Sequence, residues 1–283
     1  MSWLRNPWGR PRFLPVITGV YLLWSILPVA IAVLFAFNDG RSRTSWQGFS
    51  TRWFTGETGS VLHDPALQGA LTHTLLLAVL CVCIATPLGV ALALGLQRWR
   101  GRGGGTANTL MMLPLVTPEI VMGVALLLLF LQVLPWLGLG TTAQAIGQVT
   151  FTISYVVVIV RGRLVSIGRE YEEAAADLGA PPHDQLLRVL LPLLAPAILA
   201  SAAVVFALSI DDFVVTQYLS SDASTTTVSM LLYSTARGAP TPALNALATV
   251  ALLITLVTLV LAYIVYRKFA GGEDAASVAT LEV

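Results

Sequence analysis

Six apolar windows constrain this chain more than any other feature: Leu14 to Phe37, Ala70 to Leu96, Thr109 to Leu134, Thr141 to Val160, Leu193 to Leu219 and Ala243 to Tyr266. Each supplies the roughly 20 residues a helix needs to cross a bilayer, where only structures that satisfy their own backbone hydrogen bonds survive. The predicted fold class is an all-α membrane protein with six transmembrane helices. Charge content agrees: 11% of the 283 residues are charged, against about 25% in soluble domains, so lipid must solvate most of the surface. The basic residues are scattered and the net charge is +1, so the chain offers no field for nucleic acid. The expected organisation is a short N-terminal segment (1–13), a single six-helix transmembrane domain (14–266) and a C-terminal tail (267–283) that is small, acidic and unstructured after Gly271.

The first window follows Arg5, Arg10 and Arg12, as a signal peptide would. Its apolar stretch is longer than a signal core, and no small-residue cleavage site closes it, so it reads as a retained helix. With the N-terminus inside, twelve basic residues fall on inner segments (Arg5, Arg10, Arg12, Arg98, Arg100, Arg102, Arg161, Arg163, Arg169, Arg188, Arg267 and Lys268) and four on outer ones (Arg41, Arg43, Arg52 and Arg237). Because cytoplasmic loops retain Lys and Arg, both termini are expected in the cytoplasm. The outer loop from Asn38 to Gly69 carries Trp46, Phe49, Trp53 and Phe54, which suit an interfacial helix or aromatic belt.

Residue chemistry excludes several activities. Cys81 and Cys83 are two apart on one helix and point in different directions, so neither a disulfide nor a metal pair is expected. His63, His73 and His183 show no ligand spacing. The single lysine, Lys268, follows Arg267, so no Gly-Lys-Ser/Thr phosphate loop exists, and any ATP must be bound by another subunit. No cofactor of its own is expected.

Between the fourth and fifth windows lies REYEEAAADLGAPPHDQLLRVLLP, Arg169 to Pro192. Tyr171, Ala174, Ala175 and Leu178 recur at helical spacing and form a shallow apolar stripe, bordered by Glu170, Glu172, Glu173 and Asp177. Gly179 ends this helix, and Pro181 and Pro182 can begin the next. The expectation is a helix-turn-helix elbow that presents a docking knob to the cytoplasm. Glu173, Ala174, Ala175, Gly179, Val189, Leu191 and Pro192 resemble the EAA loop of bacterial ABC-importer permeases, with Val189 where isoleucine is usual. The resemblance implies a type I importer architecture in which the elbow couples to a cytoplasmic ABC ATPase dimer, which holds the ATP and Mg. It assigns Glu173, Ala174, Ala175, Asp177, Leu178 and Gly179 to that contact.

A narrower resemblance covers Leu71 to Leu256. LPLVTPEIVMGVALLLLF, VRGRL, LSIDDFVVTQYLS and STTTVSMLLYSTARGAPTPALNAL look like the second of the two membrane subunits of spermidine/putrescine importers. This implies a bacterial inner-membrane location, a second, homologous permease subunit, an extracytoplasmic solute-binding protein and a polyamine as solute, the alternative being another small solute carried by the same scaffold.

An ionised carboxylate at the bilayer centre costs about 2.5–3.5 kcal/mol on insertion scales, so acids in spans usually face a cavity or a partner. Glu119 follows Pro118, with Pro114 one turn earlier, so the third span should bend or unwind there. Asp211 and Asp212 are adjacent in the fifth span, followed by Phe213 and Tyr218. On an unbroken helix the two aspartates diverge by about 100° and cannot serve one ligand. With no lysine or central arginine in the spans, the cavity is net negative and suits a small cationic solute, with Glu119, Asp211, Asp212 and Tyr218 as candidate path residues. The alternatives are an interface position for Glu119 and helix capping by Asp211 or Asp212. Two other function classes compete. An intramembrane hydrolase built on Ser209 lacks a positioned histidine, and a cation channel or secondary transporter has no need of the elbow.

Overall fold

The computed structural model describes residues 13–42, 45–56, 58–99, 101–236 and 241–279, with backbone alone at 236 and from 268 onward. Arg5, Arg10, Arg12, Arg43, Arg100, Arg237 and the Lys268 side chain, used above for orientation, lie outside it. The described residues are helical apart from loops and one isolated antiparallel bridge, Asn38 to Phe49. Two compact units emerge: Met1–Leu67 with Ala239–Val250, and Gln68–Gly238 with Ala251–Val283.

In the first unit, α1 (Phe13–Ala36) is apolar and exposed almost throughout, as a helix surrounded by lipid or by another subunit would be. The loop that follows is tied by Asn38. Its Nδ2 donates to the carbonyls of Ser42 (3.0 Å) and Ser45 (3.2 Å), and its Oδ1 accepts from the Gln47 amide (2.7 Å). The Asn38 carbonyl accepts from the indole of Trp53 at 2.7 Å. Phe37 stacks on Phe49 and packs against Phe54. The interfacial helix expected here is a single turn, α2 (Arg52–Thr55), held in this hydrogen-bonded knot. Asp64 then starts α3 (Pro65–Arg98) by accepting from the amides of Ala66 and Leu67.

In the second unit the third window is not one helix. α4 (Gly104–Val116) and α5 (Glu119–Leu128, continued by a π turn over Leu129–Val133) meet at 108°. The cause is local. Thr117, placed before a proline, is driven to extended backbone (φ −72°, ψ 129°), and Pro118 has no amide to continue the ladder. Pro114 stays inside α4 without breaking it. α6 (Thr141–Ile167) runs beyond the expected window and carries Arg161 and Arg163 in its last turns. α7 (Glu170–Asp177) and α8 (Pro182–Asp184) form the elbow, and a π turn (Gln185–Leu190) leads into α9 (Leu191–Asp211). The fifth window is also broken: α9 stops at Asp211, and α10 (Val214–Leu219) is a separate short helix. α11 (Val228–Ala236) follows, and α12 (Pro242–Ala279) keeps helical backbone past Gly271, where an unstructured tail was expected. Among the described residues five helices are long and apolar enough to span a membrane, six if the bent α4–α5 pair is counted as one span.

The core of this unit lies where α3, α6 and α9 meet, around Cys81, Ala85, Val156, Val160, Leu194 and Val205. Small residues set the spacing. A Cβ on Gly89 would sit 2.5 Å from the Val156 Cβ, so α3 and α6 touch backbone to side chain at that point.

Candidate functional site

Two regions bear on function: the elbow and the α9–α10 break. At the elbow, Gly179 takes φ +80°, a conformation that L side chains avoid. Its amide donates to the Ala176 carbonyl (2.8 Å) and the Ala180 amide to the Ala175 carbonyl (3.0 Å), the paired bonds of a Schellman turn. The Gln185 side chain donates to the Ala180 carbonyl and fastens the second helix to the turn. Leu178 is 90% exposed at the apex, and Tyr171, Glu173, Ala174 and Asp177 are exposed beside it, with Ala175 half-buried. Leu178 and Tyr171 give the exposed face of the elbow an apolar surface bordered by Glu173 and Asp177. Glu172 turns the other way and pairs with Arg98 at the end of α3. Arg98, Arg169, Glu172, Glu173, Ala176 and Gln185 line a cleft of about 360 Å³ under the elbow.

At the break, Asp212 has extended backbone (φ −61°, ψ 120°) and its amide makes the last α9 bond, to Leu208. Its carboxylate folds back over α10, Oδ1 accepting from the Val215 amide (3.2 Å) and Oδ2 from the Thr216 amide (3.0 Å). The Asp212 carbonyl accepts from the hydroxyls of Thr216 (3.0 Å) and Ser229 (2.8 Å). Asp212 therefore acts as a helix cap, one of the alternatives the sequence left open. Asp211, one residue earlier, is exposed at the end of α9. Glu119 is exposed in the first turn of α5, where a negative charge suits the helix dipole, and it lies within electrostatic reach of Asp212. The Tyr218 ring is half-buried against Gly123, where α5 packs on α10. Phe213 instead pairs with Tyr233, ring centroids 4.3 Å apart. The structure thus brings Glu119 toward Asp212, gives the two aspartates different surroundings, and places Tyr218 in helix packing.

Sequence reasoning missed the residues that hold this break. Gln144, Gln148 and Thr152 lie four apart on one face of α6, and all three are fully buried. Gln144 Nε2 donates to the carbonyls of Thr216 and Thr225, both at 2.9 Å, and its Oε1 accepts from His73 Nε2 at 2.8 Å. That arrangement makes Nε2 the protonated ring nitrogen of His73. Gln148 binds Ser209, Asp212 and Cys81. The available signal was two carboxamides at i, i+4 in an apolar window, each of which must find partners inside the protein.

Comparison with known proteins agrees with this architecture. The chain is 34% identical over 255 residues to the putrescine transport system permease protein PotI of Escherichia coli K12, which covers 88% of this chain and 87% of that one. It is 32% identical over 256 residues to the spermidine/putrescine transport system permease protein PotC of the same organism, covering 90% and 94%. Among solved structures, a chain of a bacterial ABC transporter that imports the acidic polysaccharide alginate shares the fold, with a TM-score of 0.74 at 17% identity, covering 94% of this chain and 96% of that one. Residues 85–271, which hold the elbow and both helix breaks, match the family described as binding-protein-dependent transport system inner membrane component, and the chain belongs to that family.

Proposed function

We propose that this chain is one of two membrane subunits of an ATP-driven importer that carries a polyamine such as spermidine or putrescine into the cell. It sits in the inner membrane with both termini cytoplasmic. The observation that carries the reading is the elbow: a Schellman turn, on the segment between α6 and α9, that exposes Leu178 among small and acidic residues. A cytoplasmic ATPase dimer, which binds ATP and Mg, covers this knob. Closure of the ATPase pushes on α7, and the π turn after α8 passes the displacement to α9, whose far end carries Asp211. A second, homologous permease completes the path, and an extracytoplasmic binding protein delivers the solute.

The solute class follows from the acids and from the named relatives. Asp211 and Glu119 are exposed carboxylates in spanning segments that hold no lysine, and the Phe213–Tyr233 pair beside the break offers ring faces to an alkylammonium. The fold alone does not choose the solute, since the alginate importer shares it. The test is to purify the chain with a co-expressed ATPase, second permease and binding protein, and to measure ATP hydrolysis in proteoliposomes. Stimulation by spermidine- or putrescine-loaded binding protein is expected. Equal stimulation by an unrelated neutral solute, or none by either amine, refutes the polyamine assignment.

A further inference from the structure

We propose that Gln148 is the positioning residue of the solute path: it holds the Asp212 carboxylate inward, onto the α10 cap, and so leaves Asp211 as the free carboxylate at the break. The inference rests on the reading that this break lines the amine path. Gln148 is 0% exposed, and its carboxamide uses all four of its hydrogen-bonding sites. Nε2 donates to the Ser209 carbonyl (3.2 Å) and to Asp212 Oδ2 (3.2 Å), while Oε1 accepts from Ser209 Oγ (2.6 Å) and Cys81 Sγ (3.1 Å). A flipped amide would set Oε1 against a carbonyl and a carboxylate, so the orientation is determined by chemistry rather than by packing.

The partners of Asp212 make the role specific. Its two amide donors, Val215 and Thr216, belong to the helix it caps and would travel with it. The Gln148 amide is the donor that comes from another spanning helix. Gln148 therefore ties the capped carboxylate to α6; without it only the two α10 amides hold the carboxylate, and they leave with α10 whenever that helix moves, so the carboxylate can swing out beside Asp211. With Gln148 in place, a passing ammonium meets one mobile charge at the end of α9. Without it, two adjacent carboxylates compete for the ammonium and hold it, which slows release toward the cytoplasm.

The test uses the assembled importer in proteoliposomes, with binding protein saturated by putrescine, and reads two quantities together: amine taken up and ATP hydrolysed. Gln148→Met keeps the shape and removes the donor. Amine delivered per ATP is expected to fall about tenfold, the factor set by one hydrogen bond to a charged group, while ATP hydrolysis stays within about twofold. A merely structural defect would lower both together and leave their ratio unchanged, which overturns the proposal. Gln148→Met in an Asp212→Asn background should add little, because Gln148 acts through that carboxylate, and full additivity also overturns it. If Gln148→Met fails to accumulate, Ser209→Ala keeps the donor but removes a bond that orients it, and must show the same non-additivity with Asp212→Asn. An unchanged ratio in Asp211→Asn would instead overturn the path reading itself, whatever Gln148 does.

Discussion

Gly179 offers the sharpest test of the elbow because its two steric roles separate cleanly. Nothing lies within 4 Å of the position a Cβ would occupy, so a side chain there meets open space. The sole obstacle is the backbone, at φ +80°. Holding an L residue in that region costs about 1–2 kcal/mol, while asparagine tolerates it. If the turn is required in the docked state and relaxes when free, the whole cost appears in docking, a weakening of about 5- to 30-fold at 1.4 kcal/mol per decade. Gly179→Asn should therefore stay close to wild type, Gly179→Ala should lose that factor, and Gly179→Val should lose more, since β-branching narrows its backbone choices further. The assay is titration of the purified ATPase onto nanodisc-embedded permease, with amine uptake measured at matched membrane abundance. Equal affinity for the Asn, Ala and Val variants would refute the reasoning, because crowding cannot account for a ranking where no atom is crowded.

Asp211→Asn should weaken amine uptake with little change in thermal stability, whereas Asp212→Asn should lower stability by about 1–3 kcal/mol, since in either orientation its new amide group faces a donor, Val215 on one side or Thr216 and Gln148 on the other; melting in detergent beside uptake separates them. Glu172→Arg should reduce uptake by setting like charges together at Arg98 and Arg169, and the swap Arg98→Glu with Glu172→Arg should recover part of it; no recovery would dismiss the pair as a link between α3 and the elbow. Because both partners are partly exposed, the stability change should stay within about 1 kcal/mol. Gly89→Ala should cost about 1–3 kcal/mol by overpacking against Val156, and Val156→Ala in the same molecule should return part of that, as melting in detergent will show. Cysteines at Thr58 and Ser221, both exposed, should be labelled from outside intact cells, and one at Leu178 only after permeabilisation.

Legibility in the sequence followed the range of the interaction involved. The spans were legible because a 20-residue apolar run has few other fates in water. The break in the third span was legible because Thr117–Pro118 acts on its own backbone, and the elbow turn because Gly179 and Ala180 find their partners within five residues. The break in the fifth span was not, because nothing in LSIDDFVV forces an end to the helix at Asp211. What ends it there is a carboxylate that finds two amides ahead of it and a carboxamide 64 residues back along the chain. The reach of Arg98 to Glu172, 74 residues away, was hidden for the same reason.

The buried glutamines explain how such a break is sustained inside an apolar bundle. Hydrocarbon offers no partners, so each carbonyl released by an interrupted helix must be met by a donor within the protein. At the α9–α10 break the Ser209 carbonyl is met by Gln148, and the Asp212 carbonyl by Ser229 and Thr216. Further along, the carbonyls of Thr216 and Thr225 share the amide of Gln144, whose oxygen is held by His73 on α3. One face of α6 thus supplies donors at two levels, and each is fixed in orientation by a partner on the opposite side. Replacing Gln148 with leucine would leave the Ser209 carbonyl unmet inside the protein, a cost that a continuous helix through Asp212 would avoid. The same sequence would then tend to straighten, and straightening would turn Asp211 and Asp212 to different faces of one helix and close the site. The irregular backbone that presents the carboxylate and the polar stripe on α6 are therefore one device, and neither has a physical reason to be there without the other.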